Sequence, residues 1–277
     1  MNYVRYLFDL VYLSIDYTHG NIREVSKDKI TDQYGFSFSD KGWNYFRDIC
    51  ELHEISEFSK YVNSPFRRFF THNDMNDVKY TTDLLFLHDD ERRQYHRDGF
   101  NFYFGTYPWG GWRVDVGIKK KVDKAFGWCY DRETGSFTRD RFGYRRDPWY
   151  EMGDEFPLMI EWIKTKKLYR SIKSGYKPIR YGSIPSVNVL ERSSGETRFI
   201  KYDGMHRFAA LSTINKNDMK IRLPTLTHRV IKEEEVNTWC YVKNGFCDEE
   251  QALDIFNSFF ELDGRERINN LGIDASY

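Results

Sequence analysis

The chain has 277 residues, and its 42 Lys and Arg residues are balanced by 42 Asp and Glu residues. Hydrophobic residues make up 40% and charged residues 30%, a balance that excludes a disordered chain. Zero net charge excludes an overall field that attracts nucleic acid or an anionic membrane, although a local basic patch stays open. Aromatic residues reach 18% and are spread along the chain, which favours packing over a stacking platform for sugars or bases.

The four cysteines predict neither a metal site nor a disulfide framework. They are scattered without any CxxC pair, and Cys240 and Cys247 have no histidine at ligand spacing, so zinc is not expected. Thiols in this pattern, without a secretion signal, predict a reducing, cytoplasmic location.

The first 17 residues, MNYVRYLFDLVYLSIDY, are apolar but interrupted by charges. Arg5, Asp9 and Asp16 lie inside the run, and its apolar residues repeat at helical spacing. We therefore predict an amphipathic helix packed on the protein, not a targeting segment or a membrane anchor.

Helical spacing of apolar residues then predicts a helix from Ser39 to Val62, which Asn63, Ser64 and Pro65 end. The segment YTTDLLFLH predicts a strand. Residues 99–150 are too aromatic for a free linker, and we predict short strands and ordered loops there, including a turn in GTYPWGGW.

The clearest pattern begins after a predicted helix that Asp154 opens. SVNVL and TRFIKY predict two strands of a hairpin around the turn ERSSGE. DGMHR, the short helix FAALSTI and the returning strand KIRLPTLTHRV follow. EEEVNTW predicts another helix, and Asp248 with Gln251 predicts a capping box for the last one. The composition predicts two regions, residues 1–150 and residues 151–277.

The DGMHR segment has the chemistry of a phosphate site, because it joins a strand to the N-terminus of a helix. The first turn of a helix has unpaired N–H groups and a partial positive charge, which bind anions. Gly204 permits a sharp turn, and the Arg207 guanidinium can donate bidentate hydrogen bonds to phosphate oxygens. His206 can donate a hydrogen bond or move a proton, and Asp203 can hold magnesium or accept a hydroxyl proton.

An ordinary tight turn is the alternative interpretation of the same residues. In that case Asp203 caps the helix, and His206 and Arg207 are solvated. The local pattern alone does not decide between the two.

The stretch IPSVNVLERSSGETRFIKYDGMHRFAALSTI, followed by IRLPTLTHRV, resembles the core of the ParB/sulfiredoxin superfamily. The resemblance covers residues 155–245 and implies an α+β fold, with this core in the C-terminal half and an aromatic-rich α/β region before it. It also implies that the motif, including Gly204, Met205, His206 and Arg207, binds nucleotide phosphates.

The branches of that superfamily differ at the motif. Met205 stands where sulfiredoxin has its reactive cysteine, which excludes sulfinic-acid reduction because a thioether is no thiolate nucleophile. The sequence also lacks the helix-turn-helix of the chromosome-partition branch. DGMHR is similar to the Asp-Gly-His motif of the free-serine-kinase branch, which implies that Asp203 is a base or metal ligand and that ATP or ADP with Mg²⁺ is the cofactor. The C-terminal residues resemble ParB-like proteins linked to surface-polysaccharide genes.

Three further candidates are less specific. Glu191 could act as a second ligand near the phosphates, or it is a charged residue of a hairpin turn. His228, at the end of the returning strand, could reach the same crevice, or it lies on the surface. Two basic, aromatic stretches could bind a sugar phosphate or nucleic acid: ERRQYHRDG, which contains His96, and RDRFGYRRDPW. Acidic residues are interleaved in both stretches, which favours solvated surfaces.

Three functions follow from these residues. The first is a nucleotide-dependent phosphotransferase, a small-molecule or sugar kinase, with Asp203 and His206 as catalytic residues. The second is a non-catalytic module that binds a nucleotide or a sugar phosphate. The third is a ParB-like DNA-binding or nuclease-type protein, against which zero net charge and the missing helix-turn-helix count.

Overall fold

The hairpin that contains the DGMHR motif is the centre of a mixed β-sheet in the computed structural model. The strands are β1 (Ile22–Ser26), β2 (Ile30–Thr31), β3 (Ser186–Glu191), β4 (Thr197–Asp203), β5 (Asp218–Arg222) and β6 (Val230–Lys232). The structure describes residues 21–52, 58–78, 80–98, 107–110, 155–177, 184–215, 217–223 and 230–275. The predicted N-terminal amphipathic helix and nearly all of residues 99–150 lie outside these ranges.

The sheet order is β1-β5-β3-β4-β2, and β6 pairs with β3. β3 and β4 are antiparallel, with Ser186 opposite Asp203 and Glu191 opposite Thr197. β2 runs parallel to β4, and β6 runs parallel to β3. The class is therefore α+β with a mixed sheet, as predicted.

Helices surround the sheet. They are α1 (Tyr45–Glu51), α2 (Phe58–Asn63), α3 (Pro65–Phe70), α4 (Thr81–Leu85), α5 (Asp90–Asp98), α6 (Glu155–Lys173), α7 (Met205–Ile214), α8 (Cys240–Lys243), α9 (Glu249–Glu261) and α10 (Arg265–Asn270). Short 3-10 helices span Lys27–Lys29, Asn73–Asp77 and Glu233–Thr238. No helix within these ranges has the length and apolar character needed to span a bilayer.

Alternation along β3 divides the buried side chains between two hydrophobic cores. Val187 and Val189 belong to the larger core, where α1, α6 and α7 pack against one another. Leu190 belongs to the smaller core, together with residues of α9 such as Phe256. Successive strand residues point to opposite faces, so the sheet lies between two helical layers.

The two regions predicted from composition share this architecture. β1 and β2 precede residue 150, yet they pair with β5 and β4 from the C-terminal half. α1 likewise packs on α6 and α7, within one continuous core. In the described residues, the predicted boundary near residue 150 therefore does not separate two independent cores.

Two predicted elements differ from the structure. YTTDLLFLH was expected as a strand, but residues Thr81–Leu85 form α4, where the Asp83 carboxylate accepts a hydrogen bond from the backbone N–H of Tyr80. A short apolar run has no clear period, and this local cap favours the helix. The helix expected from Ser39 begins only at Tyr45, because Asn44 caps it, and Pro65 begins a further helix as its first residue.

Phe208 anchors α7 in the larger core. It is completely buried, and its ring lies 5.4 Å from that of Phe38 between centroids. We expect Phe208→Ala to lower the free energy of unfolding by about 3–5 kcal/mol, because the lost contacts leave a cavity. Chemical denaturation measures this. Ile214→Ala on the same helix is the control, since Ile214 is 38% exposed, and an equal loss in both variants would contradict the prediction.

Candidate functional site

The turn between β4 and α7 requires a glycine. Gly204 adopts a φ of 93°, in the left-handed region, and is the N-cap residue of α7. A Cβ atom on Gly204 would lie 2.9 Å from Nε and Nη2 of Arg207. Gly204 has no side chain with which to cap α7, and the Asp203 carboxylate bonds to Arg207, so Asp203 is not the cap that the tight-turn alternative required. Among the described residues, the N–H groups of the first turn therefore face the site without a side-chain cap.

Arg207 is folded back over this glycine. Its Nη2 donates a hydrogen bond to Oδ2 of Asp203 at 2.7 Å. The Arg207 side chain is only 10% exposed, whereas that of Asp203 is 61% exposed. A nearly buried cation thus lies at the positive end of α7, held by a carboxylate that reaches into solvent.

His206 is held by a residue that the sequence did not indicate. Its Nε2 lies 2.9 Å from Oε2 of Glu161 on α6, and its ring packs against that of Phe46 at 4.3 Å between centroids. Lys164 donates a hydrogen bond to the other oxygen of Glu161. Glu161 is largely buried. The tight-turn alternative, in which His206 and Arg207 are solvated, is therefore wrong.

The state of Glu161 determines which nitrogen of His206 carries a proton. Burial raises the pKa of Glu161, but the hydrogen bonds from His206 and Lys164 outweigh burial and lower the pKa below its usual 4.5. Glu161 is therefore a carboxylate that accepts from Nε2 of His206. In a neutral imidazole this leaves Nδ1 as the proton acceptor.

A cleft of about 330 Å³ joins these groups. Its polar lining includes Lys201, which lies two residues before Asp203 on β4. Within the described part of the chain, the lining residues are Leu168, Lys201, Asp203, Gly204, Met205, His206 and Arg207. The cleft thus combines Arg207, Lys201 and an imidazole with the N-terminus of α7, and the Lys201 amino group donates a hydrogen bond to Oε1 of Gln33. Such an arrangement can bind an anion.

The described residues of the cleft offer a single carboxylate, that of Asp203, for the expected metal site. Among the described residues no group of three or more His, Cys, Asp and Glu side chains could hold a metal ion. Asp203 is the only acidic residue among the described residues of the cleft lining. Magnesium is commonly bound by one or two carboxylates together with phosphate oxygens and water. The site therefore fits magnesium only when a phosphate supplies further ligands.

Two predicted site residues are not part of this cleft as described. Glu191 lies opposite Thr197, at the turn end of the hairpin, whereas Asp203 lies at the other end. The length of β3 separates them by about 17 Å, so Glu191 lies away from the described cleft. His228 lies outside the described residues.

Lys201 and Glu161 are the two residues that were missed. Lys201 lies in the predicted strand TRFIKY, but the register of β3 and β4 shifts between Lys201 and Asp203, so alternation by itself does not place both on one face. Glu161 is one of several charged residues in a helical pattern. Only the packing of α6 on α7 places its carboxylate beside His206.

The comparisons with known proteins are negative: no family model, no curated protein and no solved structure matches this chain. The likeness to the ParB/sulfiredoxin superfamily therefore rests on the residues of the motif and on the order of the elements around it. A function has to follow from the chemistry of the cleft.

The pair of Glu161 and His206 makes stability depend on pH in the acidic range. The folded-state pKa of Glu161 is below 4.5, so the ionised group stabilises the fold above that pH, and this contribution is lost as pH falls through the folded-state pKa. We expect the stability difference between wild type and Glu161→Gln to shrink as the pH falls below 4.5. Urea denaturation at several pH values measures it, and two parallel stability curves would contradict this assignment.

Proposed function

We propose that this protein is a nucleotide-dependent phosphotransferase that transfers a phosphoryl group from ATP or ADP to a hydroxyl group of a small molecule or sugar. The observation that carries the proposal is the convergence of Arg207, His206 and the uncapped N-terminus of α7 on one cleft. The order of hairpin, glycine turn and short helix supports a ParB/sulfiredoxin-like core.

Phosphate binding follows from charge and backbone geometry. A phosphate at the end of α7 accepts hydrogen bonds from the first-turn N–H groups and interacts with the helix dipole. The Arg207 guanidinium, which already lies over Gly204, supplies a forked donor at the same point. Lys201 adds a second positive charge along the cleft.

Asp203 and His206 are the groups that can handle a proton. Asp203 extends into solvent beside the phosphate position, where it can hold magnesium or orient the acceptor hydroxyl. Bound magnesium would neutralise charge that develops on the phosphate oxygens. His206, with Nε2 held by Glu161, has Nδ1 left to accept a proton.

A non-catalytic module that binds a nucleotide or sugar phosphate is the second candidate. It is favoured by one observation: the one carboxylate in the described lining of the cleft is paired with Arg207, not with a partner carboxylate. Such a site binds an anion well but supplies few ligands for a metal-assisted transfer.

A thermal-shift screen of ATP, ADP, CTP and GTP with magnesium tests the proposal, followed by turnover measurements on every nucleotide that binds. We expect at least one nucleotide to raise the melting temperature and to be consumed when a hydroxyl acceptor is present. Binding without turnover for any acceptor would favour the non-catalytic module. No binding of any nucleotide would contradict the phosphotransferase and would leave only a module that binds a sugar phosphate.

A further inference from the structure

We propose that Asp203 is an internal competitor of the phosphate: in the unliganded protein it occupies Arg207, and an anion has to displace it. This inference rests on the proposed phosphate site. It adds that Asp203 lowers the affinity of this site for anions. It concerns the resting state of the cleft, before any chemistry.

The contact has the geometry of an exchangeable pair. One terminal nitrogen of Arg207 donates to Asp203 at 2.7 Å, and the guanidinium lies against Gly204 at the end of α7. The carboxylate therefore occupies the place where phosphate oxygens would meet the same donor. With 61% of its side chain exposed, Asp203 can rotate into water without losing buried contacts.

The second pair in the cleft lacks this property. Glu161 is only 13% exposed and accepts from both His206 and Lys164. Moving the Glu161 carboxylate away from His206 would leave a buried charge with fewer hydrogen-bond partners, which would destabilise the protein. Upon anion binding, Arg207 therefore exchanges its partner while His206 keeps Glu161.

The size of the effect follows from the exposure of the pair. Only the Asp203 side of this pair is exposed, and ion pairs that reach solvent are weak, so removing the competitor should raise the affinity for inorganic phosphate by about two- to fivefold. Asp203 also repels a bound anion, and this repulsion grows with the charge of the anion. The gain should therefore be larger for pyrophosphate than for phosphate.

Isothermal titration with inorganic phosphate and with pyrophosphate, in the absence of magnesium, tests the inference. The proteins are wild type, Asp203→Asn, Asp203→Ser as a second replacement, and Asp218→Asn as the control. Asp218 is exposed and lies beyond the other end of α7. We expect tighter binding in both Asp203 variants, with the larger gain for pyrophosphate, and wild-type affinity in Asp218→Asn.

The outcomes separate this inference from the proposed function. If wild type binds both anions and the Asp203 variants bind them equally or more weakly, Asp203 is not a competitor, although the phosphate site stands. If neither anion binds to any of the four proteins, the phosphate site itself is wrong, and the inference falls with it.

Discussion

Replacing Asp203 by asparagine is expected to lower phosphoryl-transfer turnover by about a hundredfold or more, the scale of losing a positioned acid–base group. Asparagine keeps the size of the side chain but removes its charge and its ability to accept a proton. Nucleotide binding should persist, because the uncapped end of α7 and Arg207 remain. Affinity and turnover are measured side by side on wild type and Asp203→Asn.

Tighter binding of phosphate and pyrophosphate together with lost turnover is the result expected if Asp203 has both proposed roles. In those roles the carboxylate competes with the phosphate in the unliganded protein and assists the transfer after its release from Arg207. Asp218→Asn should leave affinity and turnover unchanged, since it removes an exposed acid outside the cleft. Equal turnover in wild type and Asp203→Asn would overturn the catalytic assignment.

Arg207→Ala is expected to weaken nucleotide binding about tenfold or more, because a charged hydrogen bond to phosphate contributes about 1.5–3 kcal/mol. The loss should appear in affinity measured by titration, with the melting temperature recorded to compare the stabilities. Arg207→Lys keeps the charge but not the planar fork, so its affinity should lie between those of wild type and Arg207→Ala.

Arg23→Ala is the matched control for this prediction. Arg23 is exposed on β1, at the edge of the sheet and three strands from β4 in the sheet order. Its removal changes the net charge by the same amount without touching the cleft. Equal affinities of Arg207→Ala and Arg23→Ala, at matched stability, would remove Arg207 from the site.

Several elements were predictable because their signals are short-range. The hairpin appears as two strands around ERSSGE, and the structure confirms it as β3 and β4. The turn at Gly204 and the helix after it were also predicted, since one glycine and an apolar run determine them locally. The Asp248 carboxylate accepts from the backbone N–H of Gln251, as the predicted cap of the last long helix requires.

Long-range pairing was not predictable from the same signals. β1 ends at Ser26 and its partner β5 begins at Asp218, and nothing in the five residues of β1 specifies that register. Hydrophobic alternation shows which residues are buried, but it does not show which distant strand or helix buries them. The division at residue 150 therefore followed composition, whereas the described residues share one sheet and one larger core.

The candidate site shows the same division. The sequence by itself determined the local motif: Asp203 at a strand end, Gly204 in the turn, and His206 with Arg207 in the first turn of a helix. Only the tertiary structure decided their partners. It placed Glu161 against His206 through the packing of α6 on α7. The reason is physical: backbone conformation depends on neighbouring residues, whereas the pairing of side-chain charges depends on elements that meet only after the chain has folded.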